Sequence, residues 1–299
     1  MRFNTSDLKT ERQWRAATGY DKSRFEKLLA IFKESYLALF GQTVADRQAE
    51  IEVTPSLPSE EALLLFTLFS LKTGLTYDNL GLVCGMDASN AKRNQQLGIL
   101  VLEHALTTAG QMPKREFKDA AEFAEYMKNE AELILDGTEQ RMQRPGDNEV
   151  QKDHYSGKKK AHTVKAMAIS NAAKVILYLS LCWAGKTHDY RMLKEEFPPE
   201  QDWFANHRVR VDLGFQGMAD DYKCKELFIP NKKKKKQELP PEQKEENKVL
   251  AGDRIFIEHA LGGLKRYRIL SDRLRVHDLD LYNEILGVCA GLWNFYLTC

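Results

Sequence analysis

The sequence is short of cysteine, with five in 299 residues and no CxxC pair or zinc-ligand spacing among them. Cys84, Cys182, Cys224, Cys289 and Cys299 are scattered and odd in number, which excludes a disulfide scaffold and reads as free thiols in a reducing compartment. Long apolar runs are also missing. The longest, ALLLFTLFSL from Ala62, is about half of the roughly 20 residues that a membrane span requires, so it is expected to be a buried helix and no membrane partner is expected. The opening stretch MRFNTSDLKTERQWR has no apolar h-region, so no signal peptide is indicated and a cytoplasmic location is expected. No charge excess exists either: the net charge of +1 excludes a uniformly basic nucleic-acid binder and leaves any such contact to local clusters. No internal repeat is visible. The 43% hydrophobic content is that of a globular chain, long enough for one large domain or two modest ones.

What is present begins with three carboxylates. Asp136 ends one apolar run (LILDGTE) and Asp212 ends another (VRVDLGFQG), while Glu258 lies inside a long helical pattern (AGDRIFIEHALGGLKRYRIL). Two strand carboxylates and one helix carboxylate can converge from distant positions, and together they would hold two divalent cations about 4 Å apart for in-line phosphoryl transfer. A solitary Asp before Gly at a strand end is ordinarily a turn or cap residue, so the surroundings decide. Arg254, Glu258 and Lys265 should share one helical stripe, placing two cations beside one carboxylate. Ile255, Ile257 and Leu261 are expected to give that helix buried faces next to the stripe, which favours a partly buried site over an exposed salt-bridge ladder.

The N-terminal part reads as helical. Phe25, Leu28, Leu29, Phe32, Tyr36 and Leu39 recur at helical spacing up to Gly41, and Ser59 opens an apolar helix that Gly74 stops. Next, TYDNLGLV, CGMD and ASNAKRNQQLGILVLEHAL predict a helix, a turn and a second helix capped by Asp87 or Ser89. Leu97, Leu100, Val101 and His104 are expected on its inner face, leaving Ser89, Asn90, Lys92, Arg93 and Gln96 outward. Such side chains read base edges or grip phosphates in a major groove, but they equally suit the solvated face of a helical bundle. Further on, LILDG, HTVKAMAIS and VILYLSLCW predict three strands of a meander. DYRMLKEEF, capped by Asp189, is a helix, followed by the strands VRVDL and ELFIP, the Glu258 helix and the apolar closing helix NEILGVCAGLWNFYL. That order suits an α/β fold, a mixed sheet with helices on both faces.

Basic clusters supply the charge that the whole chain lacks. Lys158, Lys159 and Lys160 are expected at a hairpin beside Asp136, Lys232 to Lys236 in a phosphate-attracting loop, and Lys265, Arg266, Arg268, Arg273 and Arg275 along and beyond the Glu258 helix. His162 and His188 are read as packing or hydrogen-bonding residues near the site.

Taken in order, LDGTEQRMQRP, HYSGKKKAHTVK, HDYRML, VDLGFQG and RIFIEHALGGLKRYR resemble the DDE transposases of the "insertion sequence five" type over roughly residues 130 to 275. The resemblance implies a ribonuclease-H-like catalytic domain over 126–299, preceded by an all-α DNA-binding region over 1–125 with a helix-turn-helix at about 59–104. It gives Asp136, Asp212 and Glu258 the DDE roles, Asp136 bridging both ions, and gives Arg254 and Lys265 the Arg and Lys of the family's Tyr-Arg-Glu-Lys signature; Ala251 stands where that signature has Tyr. The implied activity is binding of terminal inverted repeats, cleavage at element ends and joining of 3′-hydroxyls to target DNA. Two Mg²⁺ ions are the expected cofactor, with Mn²⁺ able to substitute, because an all-carboxylate site suits a hard cation. DNA is the expected partner of a homodimer or larger assembly associated with the nucleoid. A metal-dependent nuclease without strand transfer, and a transposase-derived DNA-binding or regulatory protein without turnover, stay open.

Overall fold

The structure is a computed structural model that describes residues 3–50, 55–233, 238–275 and 278–299, the side chains of residues 253 and 254 excepted. Its first part is helical: α1 Glu11–Thr18, α2 Lys22–Phe40, α3 Val44–Glu50, α4 Glu60–Thr73, α5 Tyr77–Cys84 and α6 Ala88–Thr108. Local chemistry sets these ends. Asp21, Ser59, Thr76 and Asp87 each accept a backbone N–H at a helix start, and Gly41, Gly74 and Gly85 stop three of the helices in the left-handed conformation that only glycine adopts without cost.

After α7 (Ala120–Tyr126) come β1 (Glu132–Arg141), α8 (Asn148–His154), β2 (Tyr155–Ser156), β3 (Ala161–Ser170), β4 (Ile176–Leu179), β5 (Trp183–Ala184), α9 (Asp189–Glu196), β6 (Arg208–Arg210), α10 (Met218–Asp221) and β7 (Glu226–Phe228). Then follow α11 (Pro241–Leu264), α12 (Arg268–Ser271) and α13 (Leu279–Thr298). Among the described residues the strands form one mixed seven-stranded sheet in the order β2-β3-β1-β6-β7, with β4 and β5 also pairing β3. β1 runs antiparallel to β3 and parallel to β6, which is parallel to β7. The third expected strand is two pieces, because Ser180 turns between them and bonds Met167 through both its backbone N–H and its hydroxyl.

Two compact units result, Met1–Met112 with Gly263–Cys299, and Pro113–Gly262. These bounds depart from the expected division at 125/126. In the first unit α13 packs on α6, burying Ile285, Leu292 and Phe295 while Asn294 donates to the Gln111 carbonyl. In the second, Phe123 of α7 joins the core beneath the sheet with Leu133, Leu135, Ile169, Val209, Val211 and Phe215. Among the described residues no helix is long and apolar enough to cross a membrane, and the cysteines are free thiols.

The pair α5–α6 follows the expected spans, but its inner face differs. Leu100 is 48% exposed, whereas Ala91, Gln95, Gly98, Ile99 and Leu102 are buried. Gly98 causes this: a Cβ there would lie 1.8 Å from Thr67 Oγ1, so α4 and α6 approach at that residue and turn Leu100 outward. Gln95 is satisfied in the same contact, donating to Ser70 Oγ at 2.9 Å and accepting from the Tyr77 hydroxyl at 2.9 Å.

Candidate active site

Strand register brings Asp136 and Asp212 level. In the parallel β1–β6 pair Ile134 stands opposite Arg210, and each aspartate lies two residues further, at the C-terminal side of adjacent parallel strands. Openings at the C-terminal ends of parallel strands are where α/β sheets place ligands. Leu133 and Leu135 of β1, like Val209 of β6 and Val211 just after it, go into the core, so the alternate residues Asp136 and Asp212 face away from it. Each is oriented by backbone: Asp136 Oδ1 accepts from Gly137 N–H at 2.7 Å, and Asp212 caps the 3-10 turn Leu213–Phe215, accepting from Gly214 N–H at 2.6 Å.

Both aspartates line a small cavity of about 40 Å³ that also takes in Gly137, Thr138, Glu139, Lys158, Lys165 and Asp189. Lys158 arrives on the turn between β2 and β3 and lines this cavity with Asp136, whereas Lys159 and Lys160 are exposed in the same turn and are not part of the lining. Lys165 of β3 pairs with Asp189 Oδ1 at 3.2 Å and donates to the Thr187 carbonyl at 2.9 Å; the two charged side chains are only 12% and 18% exposed. Glu139 accepts from the Thr163 hydroxyl at 2.7 Å.

Asp189 was expected as a helix cap. Instead His188 is the capping residue of α9, without a side-chain cap bond, and Asp189 begins the helix with its carboxylate turned to Lys165. The glycines after each strand aspartate make its place. A Cβ on Gly137 would lie 3.2 Å from Asp189 Oδ1, and a Cβ on Gly214 would lie 2.8 Å from Asp189 Oδ2 and 2.7 Å from Asp212 Oδ1. The sequence signal was the pair of Asp–Gly or Asp–Leu–Gly strand ends together with His188-Asp189 at a helix start.

Glu258 stays apart from this cavity lining. It is exposed on α11, and the buried face of that helix is Ile257, Ala260, Leu261 and Leu264, with Ile255 43% exposed. The expectation of a partly buried Glu258 with Ile255 in the interior is therefore corrected: the helix buries a narrower stripe than was expected. The Arg254 side chain and Lys234, Lys235 and Lys236 lie outside the described residues. Lys265 is half-buried in the first unit. Arg266 donates to the Gly19 carbonyl and stacks over Tyr296 at 4.3 Å, so it serves packing, and Arg268 pairs with Asp272 at 3.2 Å. His162 packs edge-on against Tyr155.

On α6, Ser89, Lys92, Arg93 and Gln96 are exposed and Asn90 is half-exposed, as expected. Arg93 donates to Asn90 Oδ1 at 2.9 Å, and the backbone N–H of Asn90, the largest cause, holds the Asp87 carboxyl below its ordinary range. Lys92 lines a cleft of about 390 Å³ together with Arg273 and Arg275.

Tested against a divalent cation, the cavity fits in kind. Its donors are carboxylate oxygens, which suit a hard ion, and four carboxylates against two ammonium groups leave a formal charge of −2. Among the described residues no three Asp, Glu, His or Cys side chains are arranged to hold a metal ion as they stand.

A family model described as DDE superfamily endonuclease matches residues 135–294, a span that holds Asp136, Asp212 and Glu258. The chain is also 26% identical over 279 residues to a probable transposase for insertion sequence element IS702 of Microchaete diplosiphon, covering 92% of this chain and 95% of that protein. No solved structure matches.

Proposed function

The chain belongs to the DDE superfamily endonucleases, and on that premise we propose that it is a DNA transposase with a ribonuclease-H-like catalytic domain. It binds terminal inverted repeats, cleaves at the element ends and joins the freed 3′-hydroxyls to target DNA. The observation that carries this reading is the level pair of Asp136, on β1, and Asp212, two residues beyond the end of the adjacent parallel strand β6, lining one cavity with Lys158 and Lys165. The printed name of the relative, a probable transposase, supports joining over cutting alone.

In this reading Asp136 and Asp212 hold Mg²⁺, with Mn²⁺ able to replace it, and Glu258 is the third acid by resemblance. When bound, a pair of such ions sharpens the attacking oxygen and steadies the leaving one. The protein's own groups do the rest. Backbone N–H groups of Gly137 and Gly214 fix the two aspartates before DNA arrives, so little reorganisation is left for the reaction. Lys158 offers an ammonium to the phosphodiester at the cavity, and Lys159 and Lys160 extend the contact along the backbone. Arg254 and Lys265 of the family signature serve the DNA ends. The α5–α6 pair is the helix-turn-helix, presenting Ser89, Asn90, Lys92, Arg93 and Gln96 to the groove, with Arg268 among the flanking phosphate contacts. The protein acts on the nucleoid as a homodimer or larger assembly.

Incubation with Mg²⁺ and DNA bearing the element's terminal inverted repeats tests the reading. Joined products are expected. Cuts without joining would make the protein a nuclease, and a mobility shift without cutting would make it a DNA-binding protein without turnover.

A further inference from the structure

A groove of about 490 Å³ lies beside the acid cavity, and the two share a wall. In the segment that starts α9, Asp189 lines the cavity while His188 and Tyr190 line the groove; in the segment after β6, Asp212 lines the cavity while Leu213 and Gly214 line the groove. The two segments meet at Gly214, where a Cβ would lie 2.8 Å from Asp189 Oδ2. Successive Cα atoms are about 3.8 Å apart, so the groove begins one residue from Asp212. Its charge is the reverse of the cavity's. Arg191, Lys194 and Lys232 line it, and among the described residues no carboxylate does. Two of these cations are set in place by their surroundings. Lys194 lies over the Tyr190 ring at 4.8 Å and pairs with Asp221, which is outside the lining, while the Tyr190 hydroxyl donates to the Gly217 carbonyl at 2.9 Å. Lys232 follows Asn231, whose backbone N–H and carbonyl bond the Asn247 side chain of α11 at 2.7 and 3.0 Å, and Gln216 of the groove donates to the Pro230 carbonyl at 3.3 Å. Arg191 is paired with Glu195 at 3.7 Å, but both side chains are more than half exposed, so the pairing is too weak to keep the guanidinium from a phosphate.

We infer that this groove carries the sugar-phosphate backbone of the DNA strand next to the phosphodiester that is cut at Asp136 and Asp212, with Arg191, Lys194 and Lys232 as its phosphate contacts. The inference rests on the reading of the acid cavity as the cutting centre. Electrostatics give the groove its use. A lining with a formal charge of −2 repels a polyanion, so the strand must be held by cations next to it. Lys158 is one such cation within the cavity, and the groove adds three beside Asp212. An ordinary solvated face intersperses charges of both signs, which this lining does not. The groove also gives Lys232 a defined place at the site, where the run of lysines after Pro230 reads by itself as a loop that attracts phosphate.

The test uses the full chain and terminal-repeat DNA that runs through the cleavage site. Arg191→Gln with Lys232→Gln removes two exposed cations and should leave the melting temperature unchanged; Lys223→Gln, exposed and outside the groove, controls for lost charge alone. Anisotropy without metal follows binding across salt concentrations. Each phosphate contact contributes about 0.9 to the slope of log affinity against log salt, so the double variant is expected to be flatter than wild type by about 1.8 and the control to match wild type. Arg191→Lys with Lys232→Arg, which keeps both charges, is expected to keep the wild-type slope. Cleavage with Mg²⁺ then locates the contacts. A neutral methylphosphonate link, moved through the positions flanking the cut, is expected to slow the wild type at least about fivefold at one or more positions and the double variant less than about twofold at the same positions. A slope for the double variant within about half a unit of wild type would overturn the inference, whatever the cleavage rate, and leave the cutting centre intact. Equal slowing of both proteins by every neutral link would overturn it by placing the contacts away from the cut. Wild-type protein that binds this DNA without cutting it would overturn the reading of the cavity, and the inference with it.

Discussion

Replacing Gly214 with alanine puts a methyl carbon 2.7 Å from Asp212 Oδ1 and 2.8 Å from Asp189 Oδ2. Ordinary contact begins at 3.4 Å, so the two carboxylates must withdraw by 0.7 and 0.6 Å, or the turn must carry the methyl away by as much. Misplacement of a reacting group by about 1 Å costs on the order of a hundredfold in rate, so a loss of roughly 30- to 100-fold is expected, or about 2 to 2.7 kcal/mol of barrier. Folding should hardly register the change. The backbone of Gly214 is not in the left-handed region, and alanine at an unstrained glycine position gains about 0.4 to 1 kcal/mol through the unfolded chain, offsetting part of the crowding. Two further glycines grade the effect. At Gly137 the nearest carboxylate oxygen would be 3.2 Å away, calling for a shift of 0.2 Å, and at Gly146 nothing lies within 4 Å. The expected order of activity is therefore Gly146→Ala equal to wild type, Gly137→Ala reduced by less than about fivefold, and Gly214→Ala lowest. Initial rates of Mg²⁺-dependent cleavage of terminal-repeat DNA, with melting temperatures from the same preparations, provide the comparison. A Gly214→Ala protein that cleaves within twofold of wild type, or a Gly137→Ala protein slower than it, would refute the crowded arrangement of acids.

The helix pair makes its own prediction: Lys92→Ala and Arg93→Ala weaken binding to terminal-repeat DNA, and each lost phosphate contact flattens the salt dependence by about one unit. Anisotropy titrations across salt concentrations measure both, and unchanged slopes and affinities would return these residues to an ordinary solvated face. Gly98→Ala drives a methyl into Thr67 and is expected to destabilise by about 1 to 3 kcal/mol, partly restored by Thr67→Ala; a melting temperature at or above wild type would contradict the close approach of α4 and α6. Burial pushes the Cys84 and Cys224 thiols up to about 11, so both stay neutral at pH 8 and should alkylate far more slowly than exposed Cys299 in the native protein, the gap narrowing as pH rises toward that value. Mass mapping of the modified cysteines checks the order.

Much of the fold was legible because its signals are local. Apolar runs ending in Asp marked β1 and β6, Gly41 and Gly74 marked helix stops, CGMD marked the turn before α6, and of its two candidate caps, Asp87 and Ser89, the structure uses Asp87. The pairing of Asp136 with Asp212 was expected from residue type, but its cause is the β1–β6 register, which links residues far apart in the chain. Asp189 was missed for a related reason. Its neighbourhood reads as a helix start, and only the placement of Lys165, Gly137 and Gly214 around it turns the carboxylate into the cavity. The outward turn of Leu100 follows from Gly98 meeting Thr67 on another helix, which no periodicity reveals. Helical spacing likewise says that Arg254, Glu258 and Lys265 share a stripe. It does not say how wide a face α11 buries, and Glu258 falls outside that face.

The central claim, that Asp136 and Asp212 form the cutting centre of a DNA transposase, is tested most directly by Asp212→Asn. The substitution keeps the shape of the side chain and removes its charge. The expected result is a loss of Mg²⁺-dependent cleavage of at least about a thousandfold, roughly 4 kcal/mol, with terminal-repeat DNA still bound within about twofold of wild type. Cleavage within a few-fold of wild type by the folded variant would contradict it.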